Sequence, residues 1–535
     1  MSSSIIDASS CKKENRKEPQ KVPKEFFFCV FFDGTGNKMN TQQAKAASVR
    51  GNGNNSSQLR QRDTNVAALS TLTKNRKEAK DGIQKYYYNI YIEGPGTYYN
   101  EGQAWYEKII NYPADKISSL VGSALGRWNQ GVIAKVSKSV SMIHTFLNGH
   151  TQKDERKTTK LHFNVFGFSR GAACARLFAY LVARAKDGYS SIKYESYFND
   201  YLEGAAKSLY KGKLCFLDDF TPVNRIVEFL GIYDTVSSIG ITDSGTANNG
   251  KTDVRDYLQY HQMNAHDYGL FSPHLSNVKR TFHICAMDEF RKNFAITDVG
   301  KNVPATCIEA FVPGCHSDIG GSYEEDADKT GCLKHTINGK PTKMMMKDPR
   351  YPARGTGNVN KENLLSLGWA VEKGFWGTVG DGVTSLFEYD RDPAMNFFQD
   401  TISFKRDVKR GLSNITLKMM WQRVNNDVMQ VWGSKPFSNY QQLTDFIVPK
   451  ELRPYANLMD SSKLSYGKRY WIIPGGSLNS ESYRLLRSQY IHFSATDRLG
   501  TSLVNAPNWK DNLLCRIVYH GDVKDSGVYY IQDYD

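Results

Sequence analysis

The sequence predicts an α/β fold: a mostly parallel sheet flanked by helices, followed by a mainly helical C-terminal insertion or lobe. Three observations lead there. Short, almost wholly apolar runs such as FFFCVFF (Phe26 to Phe32) have the composition of strands buried on both faces, which is the habit of parallel sheets. These runs alternate with stretches at helical spacing, as a doubly wound sheet requires. The runs also end in turn-forming or small residues, DGTGN (Asp33 to Asn37) and EGPGT (Glu93 to Thr97) among them.

Taken in order, residues 1–25 form a polar tail rich in Lys, Glu and Pro, and Phe26 to Phe32 is the first strand. The stretch 38–80, full of Asn, Gln, Ser and Gly, reads as a long excursion. Tyr86 to Ile92 is the second strand, and Leu161 to Phe168 the third, running into Ser169. The helix ACARLFAYLVARA (Ala173 to Ala185) follows with apolar residues at helical spacing. Ile226 to Asp234, Arg280 to Asp288 and Ile308 to Gly314 supply three more strands, so an α/β core spans 26–330. Residues 331–480 read as a helical insertion or accessory lobe facing a membrane or partner. It holds one segment with Leu364, Leu365, Trp369 and Phe375, and a second with Leu417, Met420, Trp421, Val424, Val428 and Val431. Residues 485–535 (SQYIHFSA, LLCRIVYH, GVYYIQ) read as terminal strands that return to the core or form a small sheet.

Composition narrows the class. At 535 residues with 40% apolar and 23% charged residues, the chain can bury a large core. Its net charge of +14 favours anionic partners, but no helix-turn-helix, zinc-finger or RNA-recognition pattern accompanies it, so nucleic acid is not expected. Nine scattered cysteines without a C-x-x-C pair read as buried thiols. The start carries no apolar stretch of signal-peptide length, and no run of about 18 apolar residues occurs. A soluble chain is expected, made in the cytoplasm and not exported by the general secretory route.

The chemistry centres on GFSRG. In a G-x-S-x-G pentad the serine occupies a tight strand-to-helix turn, and the flanking glycines, Gly167 and Gly171, remove side chains that would clash across it. An apolar strand leads in, and the small Ala172, Ala173 and Ala175 lead out; the bland alternative is a turn with an incidental serine. A serine hydroxyl is a poor nucleophile until an imidazole takes its proton, and the imidazole needs a carboxylate to hold it. In an α/β-hydrolase-like fold the order is serine, acid, histidine. Asp234 ends the next strand, in GIYDTVSS. Of the histidines beyond it, His316 follows IEAFVPGC and opens HSDIGGSY, from which it can swing over a nucleophile; His492, inside YIHFSA, is the alternative. For an oxyanion the candidate donors are Arg170, just after the serine, and Gly34 or Thr35 in DGTGN, a loop that Asp33 would shape. A plain tight turn is the other reading of that loop. No cofactor and no metal is expected, since H-E-x-x-H is absent; His316 and Asp318 as metal ligands is the less favoured reading.

FFDGTGN, EGPGT, GFSRGAACAR, GIYDTVSSIG and PGCHSDIGGSY occur in one order, and through them residues 26–330 resemble the bacterial type VI secretion lipase effectors of the first family. The resemblance implies phospholipase A activity in the periplasm of a rival bacterium, with Ser169, Asp234 and His316 matching its triad. It also implies a cognate immunity protein, delivery on a secretion spike protein, and a phospholipid membrane surface as partner, which +14 would suit. Cys315 stands where family members often carry an aliphatic residue. The competing class is an interaction protein that keeps a hydrolase fold without turnover, or a serine hydrolase of another acyl ester.

Two stretches could meet lipid. Ile117 to Ile143 mixes Leu120, Leu125, Trp128, Val132 and Val136 with Arg127, Lys135 and Lys138, and the 364–376 segment carries Trp369, Phe375 and Trp376. The alternative is that both stripes pack on the sheet.

Overall fold

The computed structural model describes residues 22–39, 63–95, 132–183, 217, 219–237, 275, 278–291, 294–323, 368–369, 411–433, 435–443, 446–493 and 513–520, with short strands elsewhere between 332 and 409 and at 509–510 and 528–530. In chain order the elements that frame the site begin with β1 (Lys24–Phe32), α1 (Asn65–Thr71), β2 (Arg76–Lys80), β3 (Ile83–Ile92), α2 (Val132–His150), β4 (Lys160–Phe168) and α3 (Arg170–Ala183). They continue with β5 (Arg225–Tyr233), β6 (Thr281–Ala286), β7 (Ile296–Thr297), β8 (Cys307–Val312), α4 (His316–Gly320), α5 (Leu412–Trp432), β9 (Lys468–Trp471), α6 (Glu481–Gln489), β10 (Ile517–Tyr519) and β11 (Val528–Tyr530).

Among the described residues the main sheet has eight strands in the order β9, β8, β6, β5, β4, β1, β3, β2. All neighbours are parallel except β2 on β3. The six apolar runs read from the sequence are all strands of this sheet. Period two explains why β1 can be apolar throughout. Phe27, Cys29 and Phe31 face one core cluster, and Phe26, Phe28, Val30 and Phe32 face the other, so both sides are buried. On the first side lies α5, whose Leu417, Met420, Val424 and Val428 are buried, each contributing roughly 1.5–3 kcal/mol by its removal from water. Its Met420 Sδ sits where a Cβ on Gly231 of β5 would be 2.6 Å away. On the second side lie α2 and α3.

Several expectations need correction. The 38–80 excursion contains α1 and β2; β2 (RKEAK) has no strand signature in the sequence because an exposed edge strand carries charge in place of apolar alternation. Lys468–Trp471, inside the expected accessory lobe, is an edge strand of the main sheet, and α5 packs directly on that sheet. The described part of SQYIHFSA, residues 488–493, is not a strand. It is the end of α6, started by Ser480 accepting from Tyr483 N–H, followed by an irregular stretch with Ile491 and Phe493 buried. LLCRIVYH and GVYYIQ do contain β10 and β11, which join β7 in a small three-stranded sheet.

Of the suggested lipid-contact positions, the described apolar ones take the alternative reading and pack in the core. Trp369 is a core residue, edge-on to Phe290 and Phe493. Val132 and Val136 are buried against the sheet, and Lys135 and Lys138 both pair with Glu93. Leu120, Leu125, Arg127, Trp128, Leu364, Leu365, Phe375 and Trp376 lie outside the described residues, as does the 1–21 part of the tail. Among the described residues, no helix is long and apolar enough to cross a membrane.

Candidate active site

The carboxyl ends of β1, β4, β5 and β8 converge on Ser169. β4 stops at Phe168, α3 starts at Arg170, and Ser169 between them has φ +60°, in the left-handed region. Such a conformation costs a non-glycine residue about 1–3 kcal/mol and persists where neighbours enforce it. Here the Ser169 N–H donates to Tyr233 O at 3.0 Å, and Val236 N–H donates to Ser169 O at 3.3 Å. The motif glycines are required by space. A Cβ on Gly167 would lie 2.3 Å from Gly171 O, and one on Gly171 would lie 2.2 Å from Asp33 O.

Asp234 follows β5 directly, is fully buried, and has φ +46°. Its Oδ1 accepts Ala286 N–H at 2.8 Å, and its Oδ2 accepts His316 Nδ1–H at 2.5 Å. Burial alone would raise the Asp234 carboxyl, but the Arg516 guanidinium and His316 outweigh it and hold the group down at about 2. Burial pushes the His316 imidazole below its usual range, with Asp234 partly opposing. The pair therefore holds a carboxylate and a neutral imidazole near neutrality. Nδ1 carries the proton toward Asp234, and Nε2 is left as the basic nitrogen.

α4 delivers His316. The Asn65 side chain of α1 donates to Ile319 O at 2.9 Å and to Ser413 O at 2.9 Å, and Thr416 of α5 also donates to Ile319 O, so three helices are tied together. Gly320 lies against Phe168, where a Cβ would be 2.0 Å from the ring. The His316 ring in turn rests 4.5 Å from the Phe168 ring, beside the serine, and Phe294 meets it edge-on at 4.9 Å.

The DGTGN loop abuts the elbow. Burial pushes the Asp33 carboxyl up to about 6, although Tyr91, Thr64 and the Gly34 N–H all donate to it. Of the loop's two candidate oxyanion donors, the Gly34 N–H is held by Asp33 Oδ1 at 2.7 Å. The Arg170 side chain reaches Thr35 Oγ1 at 3.1 Å, and Arg170 as first residue of α3 has its N–H ahead of the intrahelical ladder.

His492 is engaged elsewhere. Its N–H and Nδ1 both bond Asp318, at 2.9 and 2.6 Å, and its ring stacks on Tyr323 at 3.8 Å. Asp318 also accepts Cys315 N–H at 3.0 Å, so it caps α4 and fastens the segment after α6. Buried His283, Cys285 and Glu309 could geometrically hold a metal ion, but His283 Nδ1 bonds Glu309 and its Nε2 accepts Thr235 N–H, which is a hydrogen-bonded core arrangement. Cys29, Cys174, Cys285, Cys307, Cys315 and Cys515 are buried free thiols.

Sequence reasoning did not find Glu289 or Arg516. Glu289 accepts His316 N–H at 3.3 Å and is bound by Arg291; Arg516 Nη2 lies 2.9 Å from Asp234 Oδ2. No local signal marks Arg516, which is 282 residues from its partner.

Residues 27–348 match the model of a family described as type VI secretion, phospholipase effector Tle1-like, catalytic domain. No curated protein matches the sequence. Among solved structures, the Tle1 effector bound to the VgrG spike of the type 6 secretion system is similar at 18% identity and a TM-score of 0.47, over 92% of this chain and 90% of that one. An uncharacterised protein from Pseudomonas aeruginosa is similar at 16% identity and a TM-score of 0.31, over 82% of this chain and 51% of that one.

Proposed function

This chain belongs to the Tle1-like phospholipase effectors of the type VI secretion system, by the match over residues 27–348, and on that premise we propose that it is a serine esterase of the phospholipase A type. Ser169 is the nucleophile, His316 the general base and Asp234 the acid that orients it. The observation that carries the reading is the buried Asp234–His316 pair, set against Phe168 at the strained elbow of Ser169.

In this mechanism Ser169 Oγ attacks the ester carbonyl of a phospholipid while His316 Nε2 takes its proton. Asp234 stabilises the imidazolium that forms. The N–H groups of Arg170 and Thr35 receive the negative charge of the tetrahedral intermediate, where one donor is worth about 2.7–4 kcal/mol. As the intermediate collapses, His316 returns the proton to the departing lysophospholipid oxygen and an acyl-serine remains. Water, deprotonated by the same imidazole, then releases the fatty acid.

The proposal extends to an antibacterial role: loading on a secretion spike protein, action on phospholipid in the periplasm of a target cell, and restraint by a cognate immunity protein. Family membership supports these steps, and the net charge of +14 suits an anionic lipid surface. Mass spectrometry of defined phospholipids after incubation tests the chemistry. A lysophospholipid and a free fatty acid in equal amounts are expected from wild type, and neither from Ser169→Ala. Release of a phosphorylated headgroup, or equal turnover by both proteins, would refute it.

A further inference from the structure

The triad acid has a second charged partner, drawn from the far end of the chain. Arg516 is fully buried, and its Nη2 lies 2.9 Å from the same Asp234 Oδ2 that accepts from His316. Its Nη1 donates to Ala286 O at 2.9 Å and its Nη2 also to Phe294 O at 3.0 Å. The two carbonyls fix the guanidinium plane, so the carboxylate meets a fork that cannot turn with it.

The backbone brings Arg516 there by design of the small sheet. β10 starts at the next residue and pairs in parallel with β7, Val518 against Ile296. Ile296 in turn bridges Val236, two residues beyond Asp234, and Thr297 N–H donates to Thr235 O at 2.9 Å. The terminal sheet is thus sewn to the loop that carries the triad acid. Arg516 falls well outside residues 27–348, the span matched by the family's catalytic-domain model.

Resting on the assignment of Ser169, Asp234 and His316 as a triad, we propose that Arg516 is a positioning residue of the active site, which holds the Asp234 carboxylate ionised and turned toward His316. A buried carboxylate needs pairing, and an imidazole that hydrogen-bonds it cannot supply a full charge while neutral. Around His316 the charged groups are Asp234 from the end of β5, Glu289 and Arg291 from the segment after β6, and Arg516 from the terminal sheet; buried Cys285 of β6 stands nearby as a thiol well above its usual range. Two cations and two carboxylates balance while the imidazole is neutral. Deleting Arg516 leaves one buried negative charge in excess. That excess favours protonation of both Asp234 and His316; the first removes the anion that orients the imidazole and stabilises its charged form, the second removes the base, so both effects act in the same direction.

The test uses the full chain and a soluble p-nitrophenyl ester, with kcat and KM measured across pH and folding checked by thermal melting. Arg516→Met should lower kcat at least about tenfold with KM little changed. Its acid limb should move upward by about 1 pH unit or more, the scale on which a neighbouring opposite charge shifts a carboxyl. Arg516→Lys keeps the charge but not the fork, so its limb should stay at the wild-type position while kcat falls. A folded Arg516→Met with wild-type kcat, or with reduced kcat and an unmoved limb, overturns the proposal. Should Arg516→Met not fold, Arg516→Lys decides: a lowered kcat at an unmoved limb upholds it, and an unchanged kcat overturns it. If neither variant folds, Arg516 is a structural brace and the proposal falls. Ser169→Ala in the same assay separates the two levels. Turnover that survives in Ser169→Ala strikes the triad itself, whereas an inert Ser169→Ala beside a wild-type-like Arg516→Met strikes Arg516 alone.

Discussion

At the scale of single residues, two histidines stood as alternatives in the sequence, and hydrogen bonds separate them. His316 bonds Asp234 at the elbow, while His492 gives both its N–H and Nδ1 to Asp318. Strand exits and a Gly-bearing loop pointed to Ser169, Asp234 and His316, because each belongs to a local motif. Arg516 and Glu289 were illegible, because an arginine or glutamate acquires its role only from partners that folding brings beside it. Two expectations follow. Burial keeps His316 neutral further into acid than an ordinary histidine, so the acid limb of kcat/KM should lie below about 6.5, with activity lost as pH falls through it; a limb above that value would contradict the assigned environment. His492→Ala should keep most ester hydrolysis yet lower stability by about 1–3 kcal/mol, since Asp318 loses a buried partner. A denaturation curve beside an activity assay distinguishes this from His316→Ala, in which activity should collapse.

At the scale of elements, the parallel strands were the most legible features, since burial on both faces writes itself as an uninterrupted apolar run. β1 and β4 are cases in point. Edge strands were not legible: β2 is charged, and β9 (KRYW) is four residues long, so neither carries a pattern that separates it from loop. The elbow is an element defined by close approach more than by propensity. Gly171→Ala would set a Cβ 2.2 Å from Asp33 O, which is backbone and cannot rotate away. Overpacking of this kind costs about 1–3 kcal/mol, and it should push the DGTGN loop off the elbow and reduce kcat as well. Gly149→Ala, near the end of α2 with nothing within 4 Å of the new Cβ, serves as the contrast. It should leave activity unchanged and stabilise by up to about 1 kcal/mol. Denaturant midpoints and kcat for the two variants check both; a Gly171→Ala protein as stable and active as wild type would mean that β1 and α3 are not in the contact described.

At the scale of the whole molecule, the proposed catalytic apparatus is spread along nearly the full chain. The serine, acid and histidine lie within residues 27–348, yet the sheet edge, the helix covering one face and the cation on Asp234 come from residues 411–519. The sequence pattern suggests a helical insertion or accessory lobe there because α5 and its neighbours are helical and amphipathic. Such a stripe marks a buried face without saying which body it is buried against. Integration of the two parts gives the proposed triad a buried, fixed setting, in which Ser169 should react far faster than an ordinary serine. The decisive measurement is covalent labelling by a fluorophosphonate with the modified residue mapped by peptide mass spectrometry. An activated triad requires a single adduct on Ser169 in wild type, none in Ser169→Ala, and strongly slowed labelling in folded His316→Ala. Labelling at another serine, or equal rates in wild type and His316→Ala, would contradict it.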